Sequence, residues 1–209
     1  MLVASDSNII WAPRSRACVA YAIAVPDGSP CPDWDNDSDL WCRAMEINIR
    51  VPFIVSRAVL PGMIDQRKGR IVNVSSSSAY LSSPYLSSYT ASKAALTNWT
   101  LSLADATREY GIKVFAYSPT LVATEMTEVM STSPDLPESH RTVMIAALED
   151  RAQPPSVSAE GVVYLASGKA DARNGHFVDV RWGIDEMIRR YQAGKDPNLY
   201  TLQVLGRMS

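Results

Sequence analysis

The chain has little of what metal sites and disulfide frameworks require. Its three cysteines (Cys18, Cys31 and Cys42) and two histidines (His140 and His176) are scattered through 209 residues. An odd, scattered set of cysteines fits reduced thiols better than a disulfide framework. Two distant histidines argue against a histidine-based metal site. The sequence therefore predicts no metal and a cytoplasmic location.

The chain also lacks strong charge of one sign and long apolar runs. Its net charge of −2 gives no footprint for nucleic acid or for an anionic membrane surface. No apolar run reaches the roughly 18 residues that a membrane span needs. The N-terminus has no basic start followed by a continuous apolar core, so no signal peptide is expected. The sequence therefore predicts neither nucleic acid nor a membrane as a partner.

Glycine is sparse where it would matter most for binding a dinucleotide. The first glycine, Gly28, stands alone between Asp27 and Ser29, and the first 40 residues contain no G-x-G-x-x-G turn. Such a turn normally lets the backbone approach a pyrophosphate. The usual phosphate-binding fingerprint is therefore missing.

Short apolar runs alternate with helical patterns along the chain. Four runs predict buried strands: VAYAIAV (19–25), RIVNV (70–74), IKVFAYSP (112–119) and HFVDV (176–180). Three patterns predict helices, at 37–67, 89–111 and 158–167, the first beginning between residues 37 and 39. Within the first helix, Pro52 predicts a kink and Pro61 predicts a break. Continuous apolar strands that alternate with helices are typical of a doubly wound α/β protein with a parallel sheet.

The sequence predicts one domain over residues 1–209, with three irregular parts. Residues 1–37 form an atypical N-terminal segment, and residues 120–157 form a proline-punctuated excursion of short helices that would shape a substrate pocket. Residues 181–209 form a tail with a further helix (184–192) and a last apolar stretch (200–205).

A tyrosine and a lysine stand one helical turn apart in the best helix. Tyr89 and Lys93 are at positions i and i+4, beside a serine-rich loop that follows a predicted strand. A nearby ammonium favours a phenolate, so the phenol could exchange a proton with a carbonyl or alcohol oxygen. A loop serine could hold the same oxygen. Taken alone, such a pair is more often an ordinary surface pair than a catalytic one.

Four motifs in order resemble those of the short-chain dehydrogenase/reductase family. They are EIN (46–48), GRIVNVSS (69–76), YTASK (89–93) and SPTLVATEM (118–126). Ser76 precedes Tyr89 by 13 positions, the spacing usual in the family, and is chosen over Ser75, Ser77 and Ser78 for that reason. The resemblance runs from about Trp34 to about Val180 and implies a Rossmann-like fold.

The resemblance also implies roles for individual residues. Tyr89 would be the acid/base, and Lys93 would lower its pKa and hold the nicotinamide ribose. Ser76 would orient the substrate oxygen, and Asn48 would brace its helix and hold a water in a proton relay to Lys93.

The same resemblance implies that the cofactor is NAD or NADP, with no preference indicated. Besides Tyr89 and Lys93, Pro119, Val122 and Thr124 would line the nicotinamide, with Thr124 near its carboxamide.

The chain departs from the family in its N-terminal part. The Gly-rich turn is missing, the family's Asn-Asn-Ala-Gly stretch is degenerate as AYAIAV (20–25), and Thr120 replaces a glycine where it could crowd the cofactor. The chain thus looks like an N-terminally shortened member, whose sheet lacks its first βαβ units. A sheet cut in this way leaves a bare edge, which is covered by a rearranged N-terminus or by a partner subunit, or else stays uncovered and causes aggregation.

Three functions stay open on the sequence. The first is an NAD(P)-dependent oxidoreductase that interconverts a carbonyl and an alcohol on a small apolar substrate. The second is a cofactor-independent acid/base enzyme, such as an isomerase, dehydratase or cyclase. The third is a non-catalytic partner of a full-length relative.

Two further expectations concern the surroundings of the site. A homo- or hetero-oligomer would form through helices 38–60 and 89–110. The substrate pocket would be lined by apolar and aromatic residues, namely Tyr80, Tyr85, Leu121, Met126 and Met130. The segment NGHFVDVRWGIDEMIRR resembles a branch of the family used in microbial or fungal secondary metabolism.

Overall fold

The structure is a computed structural model that describes residues 31–180, the backbone segments 9–12 and 17–20, and Glu186 and Arg189. Apart from Glu186 and Arg189, which are helical, the tail helix expected at 184–192 lies outside the described residues, as do the stretch at 200–205 and part of the first expected strand.

Five strands form one sheet in the described part of the chain. In spatial order they are β1 (Ile9–Ala12), β2 (Ala17–Ala20), β3 (Gly69–Val74), β4 (Ile112–Ser118) and β5 (Phe177–Asp179). β2 to β5 are parallel to one another, whereas β1 is antiparallel to β2. Helices lie on both faces, so the Rossmann-like α/β fold predicted from the sequence is confirmed.

The N-terminal edge corrects two predictions. β2 begins at Ala17, two residues before the predicted start. The sheet is not wholly parallel, because β1 pairs with β2 in antiparallel orientation, from Ile9↔Ala20 to Ala12↔Ala17. Four residues separate these strands, and so short a connection can join only antiparallel neighbours. The hairpin occupies the edge of β2 that a shortened parallel sheet would leave bare, as expected of a rearranged N-terminus.

Six α-helices connect the strands in the described residues. They are α1 (Ser38–Met45), α2 (Val51–Asp65), α3 (Ser87–Ala106), α4 (Glu125–Thr132), α5 (Glu138–Arg151) and α6 (Pro155–Ser167). The carboxylate of Asp37 caps α1 by accepting from the backbone N–H groups of Asp39 and Leu40.

The first long helix is kinked where proline was expected to disturb it. A π-helical turn, Glu46–Arg50, joins α1 to α2 just before Pro52, which has no N–H to continue the regular ladder. The break predicted near Pro61 is wrong, because α2 continues to Asp65. Pro61 and Arg57, whose carbonyl would have received the missing bond, both lie on the exposed side, where water can satisfy the carbonyl.

α3 also ends earlier than predicted. It stops at Ala106, and a 3-10 turn (Arg108–Tyr110) precedes Gly111, whose φ of +72° makes the turn into β4. Glycine occupies this left-handed conformation without a steric penalty.

Two apolar layers cover the sheet. On one face, Val72, Val74, Phe115 and Tyr117 pack with Leu165 of α6. On the other, Ile71, Ile112 and Val114 pack with residues of α2 and α3. Successive strand residues point to opposite faces, so each strand serves both layers.

By length and composition alone, one helical run in the described residues, Ser38–Asp65, could cross a membrane. This run packs against β2, β3 and α3 as a helix of the α/β domain. Phe53 and Ile54 are about half exposed on α2, and the Phe53 ring meets Trp99 of α3 edge-on at 5.9 Å. Association through helices 38–60 and 89–110 stays a prediction.

Candidate active site

The predicted site residues meet at the carboxyl ends of β3 and β4. Ser76 follows β3, Pro119 follows β4, and Tyr89 and Lys93 lie in the first turns of α3. These four, together with Val122 and Thr124, line one cavity of about 710 Å³. In open parallel sheets, this edge is where ligands bind.

Lys93 is buried beside Tyr89. Its side chain is 2% exposed, and its Nζ donates to the Val74 carbonyl at 3.0 Å and lies 5.6 Å from the centroid of the Tyr89 ring. Burial lowers the pKa of Lys93 to about 7, because a buried amine loses the hydration of its charged form. The ammonium that would favour a phenolate therefore predominates only below about pH 7.

Neighbouring serines take different positions after β3. Ser75 is 2% exposed, and its Oγ bonds the Lys93 carbonyl at 3.2 Å and Thr97 Oγ1 at 2.6 Å. Its hydroxyl is thus engaged in fixing α3 to β3. Ser76 is half-buried at the cavity, and its Oγ accepts from the Ser78 backbone N–H at 3.1 Å. This geometry favours Ser76 over Ser75, and the role of Ser76 stays a prediction.

Asn48 lies behind the site and does not line the cavity. It is fully buried in the π-helical turn, and its Nδ2 donates to Ser92 Oγ at 3.0 Å. Ser92 Oγ in turn donates to the Tyr89 carbonyl at 2.8 Å. Asn48 therefore braces α3 through Ser92, a link that sequence reasoning missed although Ser92 stands directly before Lys93.

The Asn48 side chain also leaves one acceptor unused. Its Oδ1 is buried with no protein partner in the described structure. A buried amide oxygen of this kind normally bonds an internal water, which fits the water-holding role that the resemblance implies.

The loop after β4 is held by α6. Thr120 Oγ1 pairs with Ser158 Oγ at 2.7 Å, and Tyr117 donates its hydroxyl to the Ser158 carbonyl at 2.8 Å. Thr120 is thus bonded toward α6. Thr124 leads into α4, and its N–H donates to Thr127 Oγ1 at 2.8 Å.

The rest of the cavity wall is mainly apolar. Of the predicted lining residues, Leu121, Met126 and Met130 do line it, and α5 adds Val143, Met144 and Ala147. Tyr80 and Tyr85 were wrongly placed there: their rings pack edge-on against Phe177 at 4.8 Å and His140 at 4.6 Å. Burial, with repulsion from Asp179, raises the pKa of Tyr80 to about 12, so Tyr80 stays a neutral phenol.

The residues present fit one half of a nicotinamide dinucleotide. Lys93 Nζ offers a donor for a ribose hydroxyl, and the loop from Pro119 to Thr124 gives a narrow wall of backbone and small side chains. For the phosphates, the described residues offer no Gly-rich turn at the cavity. The six described glycines lie within helices, at the end of α6 (Gly168) or at the amino ends of strands.

Comparisons with known proteins agree with this architecture. The sequence profile of the short chain dehydrogenase family matches residues 26–135. The chain is 30% identical over 152 residues to short chain dehydrogenase pigC of Monascus ruber, a match that covers 73% of this chain and 47% of the relative. It is 34% identical over 144 residues to a cyclopentanol dehydrogenase of Comamonas, covering 69% and 56%.

A solved structure extends the likeness to the fold. A 3-oxoacyl-[acyl-carrier protein] reductase from Brucella melitensis with bound NAD superimposes with a TM-score of 0.66 at 28% identity, covering 79% of this chain and 60% of that one. The chain thus spans about half the length of the two curated relatives and three fifths of this structure. With its family match, its parallel strands and the Tyr-x-x-x-Lys helix at their carboxyl ends, the chain belongs to the short-chain dehydrogenase family.

Proposed function

We propose that the protein is an NAD(P)-dependent oxidoreductase that interconverts a carbonyl and an alcohol on a small apolar substrate, with Tyr89 as the acid/base. The convergence of Ser76, Tyr89 and Lys93 on one cavity carries this proposal. Family membership supports it, since the relatives compared above are named as dehydrogenases and a reductase. The fungal relative is consistent with a place in secondary metabolism.

Tyr89 and Ser76 have different roles at the substrate oxygen. The phenol of Tyr89 gives a proton to this oxygen in reduction and takes it back in oxidation. Ser76 Oγ donates a hydrogen bond to the same oxygen and holds it beside the phenol. Lys93 positions a ribose hydroxyl, and the nicotinamide supplies the hydride when bound. Asn48 braces α3 through its bond to Ser92, and its buried Oδ1 holds a water in the proton relay to Lys93.

The walls of the cavity indicate the substrate class. Leu121, Met126, Met130 and Met144 make the distal part apolar and adaptable. No carboxylate lines the cavity in the part of the chain that the structure describes. A cyclic or short aliphatic ketone suits this surface, because its only polar atom is the one that Ser76 and Tyr89 bind.

Turnover tests the proposal directly. Cyclopentanone and a 3-oxoacyl ester are offered with NADH or NADPH, and the loss of reduced nicotinamide is followed. We expect Tyr89→Phe to lower kcat by at least about 100-fold, the usual contribution of a positioned acid. The matched control is Tyr110→Phe, which alters a tyrosine remote from the cavity and keeps full activity.

Other outcomes would select the other two functions. Turnover without any nicotinamide that is lost in Tyr89→Phe would favour a cofactor-independent acid/base enzyme. Absence of turnover together with a stable complex with a full-length relative would favour a non-catalytic partner. Nicotinamide-dependent turnover that survives Tyr89→Phe would contradict the role given to Tyr89.

A further inference from the structure

The charged residues that line the cavity are all basic. Among the described residues of its wall, Lys93 and Arg151 are the two with ionisable basic side chains, and none carries a carboxylate. Lys93 is buried, and its Nζ donates to the Val74 carbonyl at 3.0 Å. Arg151 is half exposed at the end of α5 and keeps its charge throughout the neutral pH range. A wall of this kind favours a ligand that carries negative charge.

The guanidinium of Arg151 is not engaged by the fold as a structural arginine would be. In the described part of the chain it donates no hydrogen bond, and its ion pair is with Asp150, whose Oδ2 lies 3.9 Å from Nε and whose side chain is 80% exposed. The guanidinium of Arg70, by contrast, donates to both oxygens of Asp171, at 2.8 and 2.7 Å. The planar fork of Arg151 therefore has donors left for a ligand, and its shape suits a carboxylate.

The backbone at Arg151 is fixed beside the cavity. Arg151 is the last residue of α5, and the N–H of Ala152 donates to the Leu148 carbonyl at 3.2 Å. The N–H of Gln153 then donates to the carbonyl of Leu121 at 2.8 Å, which joins this end of α5 to the loop after β4. The cation therefore has a defined place at one end of the cavity wall.

An apolar stripe of α5 leads to this cation. Val143, Ala147 and Arg151 line the cavity at positions i, i+4 and i+8, so they share one side of the helix over about 12 Å. The edge-on contact of His140 with Tyr85 places the start of α5 beside the loop that leads into α3, the helix of the proposed acid/base. Val143 is 68% exposed, which leaves an apolar surface for a bound chain to cover. The stripe thus runs from the side of α3 to the cation.

We propose that Arg151 binds the carboxylate of a substrate whose apolar chain lies along α5 and whose carbonyl lies at Ser76 and Tyr89. This narrows the apolar ketones considered above to aliphatic oxo acids. The place of the carbonyl rests on the proposed function, whereas the contact between Arg151 and a carboxylate requires no reaction. A charge-assisted contact to both carboxylate oxygens selects the acid over its neutral ester.

Binding of octanoate and of methyl octanoate, measured by titration calorimetry without nicotinamide, tests this contact independently of turnover. We expect the protein to bind octanoate at least about tenfold more tightly than the ester, and Arg151→Gln to remove that difference. Arg151→Lys keeps the charge and should retain part of it. Octanoate that binds no more tightly than the ester, or a preference that survives Arg151→Gln, would overturn the proposal.

The matched control is Arg108→Gln. It removes a similarly exposed arginine that pairs with Asp105 and does not line the cavity, so the preference for octanoate should stay at its wild-type value. An equal loss of preference in Arg108→Gln and Arg151→Gln would reflect the net charge of the protein and would overturn the site.

The phosphates of a dinucleotide offer an arginine the same chemistry as a carboxylate. Titration of NADH into the wild type and into Arg151→Gln separates the two sources, and we expect the same affinity in both. A loss of NADH affinity as large as the loss for octanoate would assign Arg151 to the cofactor and would overturn the proposal.

Turnover of 7-oxooctanoate with NADH or NADPH tests where the carbonyl lies. Arg151→Gln should raise KM by about tenfold with little change in kcat, because the carboxylate is bound equally in the ground state and in the transition state. An unchanged KM would overturn the placement of the substrate along α5. Absence of turnover in the wild type would contradict the oxidoreductase proposal and would leave the octanoate result standing, since that result needs no reaction.

Discussion

Lys93 shows how much of a side chain's chemistry depends on its surroundings. In the sequence it is an i, i+4 neighbour of Tyr89, which places both on one side of a helix. In the fold it is almost fully buried, with Nζ on the Val74 carbonyl. The pattern therefore predicts the pair, but the lowered pKa arises from burial in the folded chain, which no local spacing reveals.

The buried amine should make stability depend on pH. Below about pH 7, Lys93 is charged in the folded and unfolded states, and the cost of burying the charge is fully present. Between pH 7 and the unfolded value near ~10.4, only the unfolded state is charged, so the unfolded state binds more protons and stability rises with pH. The free energy of unfolding of the wild type, measured in urea and relative to that of Lys93→Met, should rise by on the order of 3 kcal/mol between pH 7 and 9.5.

The control for this measurement is Lys169→Met, which removes an exposed lysine. The difference in free energy of unfolding between Lys169→Met and the wild type should not change between pH 7 and 9.5. A difference for Lys93→Met that is also flat, or that falls as pH rises, would show that Lys93 is not desolvated in the folded state.

The serines show the same limit of sequence reasoning. Spacing to Tyr89 selects Ser76, and the fold agrees, since Ser75 is engaged with Lys93 and Thr97. Nothing in the sequence marks Ser92 as the link between Asn48 and the Tyr89 carbonyl, because that link joins two helices separated by more than 40 residues.

Among the secondary-structure elements, α2 and α6 show two uses of glycine in a helix. Gly161 of α6 faces the Tyr117 phenol so closely that a Cβ there would overlap it. Tyr117 in turn holds Ser158, at the cavity, by its hydroxyl. Gly62 of α2 has nothing within 4 Å of the position of a Cβ. Packing requires a glycine at position 161. At position 62 nothing requires glycine, which only adds conformational freedom to the unfolded chain.

Alanine at each position should therefore have opposite effects. Gly161→Ala forces the ring or the helix to move and should cost about 1–3 kcal/mol. Gly62→Ala restricts the unfolded chain at a compatible helical position and should stabilise by about 0.5–1 kcal/mol. Both are measured by urea unfolding under one set of conditions. A neutral or stabilising effect of Gly161→Ala would mean that α6 does not pack on Tyr117 as described, and a destabilising effect of Gly62→Ala would contradict the open space beside α2.

Elements were predicted well where the apolar pattern is strong and less well at their ends. β3 and β4 match their predicted runs to within a residue, since buried strands are continuous apolar segments. α2 passes through Pro61, because one lost hydrogen bond on the solvent side is tolerable. The end of α3 was placed at Gly111 because glycine commonly ends a helix. The sequence does not distinguish the last turns of an α-helix from the 3-10 turn that precedes Gly111.

Across the described part of the chain, the strands beside the proposed catalytic residues are parallel, whereas the edge of the sheet at β2 is altered. β3, β4 and α3 bring Ser76, Tyr89 and Lys93 together at one edge of the sheet. At the other side of β2, an antiparallel strand takes the edge position. The sequence predicts a bare edge at this side of the sheet. It does not indicate whether a hairpin or a partner subunit covers the edge, because both satisfy the same backbone hydrogen-bonding groups.

On the proposed function, Lys93 binds the ribose of the nicotinamide, and the given sequence has no Gly-rich turn to hold the phosphates. Titration of reduced nicotinamide mononucleotide and of NADH, followed by nicotinamide fluorescence, tests it most directly. We predict dissociation constants within about tenfold of each other, both raised about tenfold by Lys93→Met through loss of a hydrogen bond, and unchanged by Lys169→Met. Binding of NADH more than about 100-fold tighter than of the mononucleotide, or no binding of either, would contradict the claim.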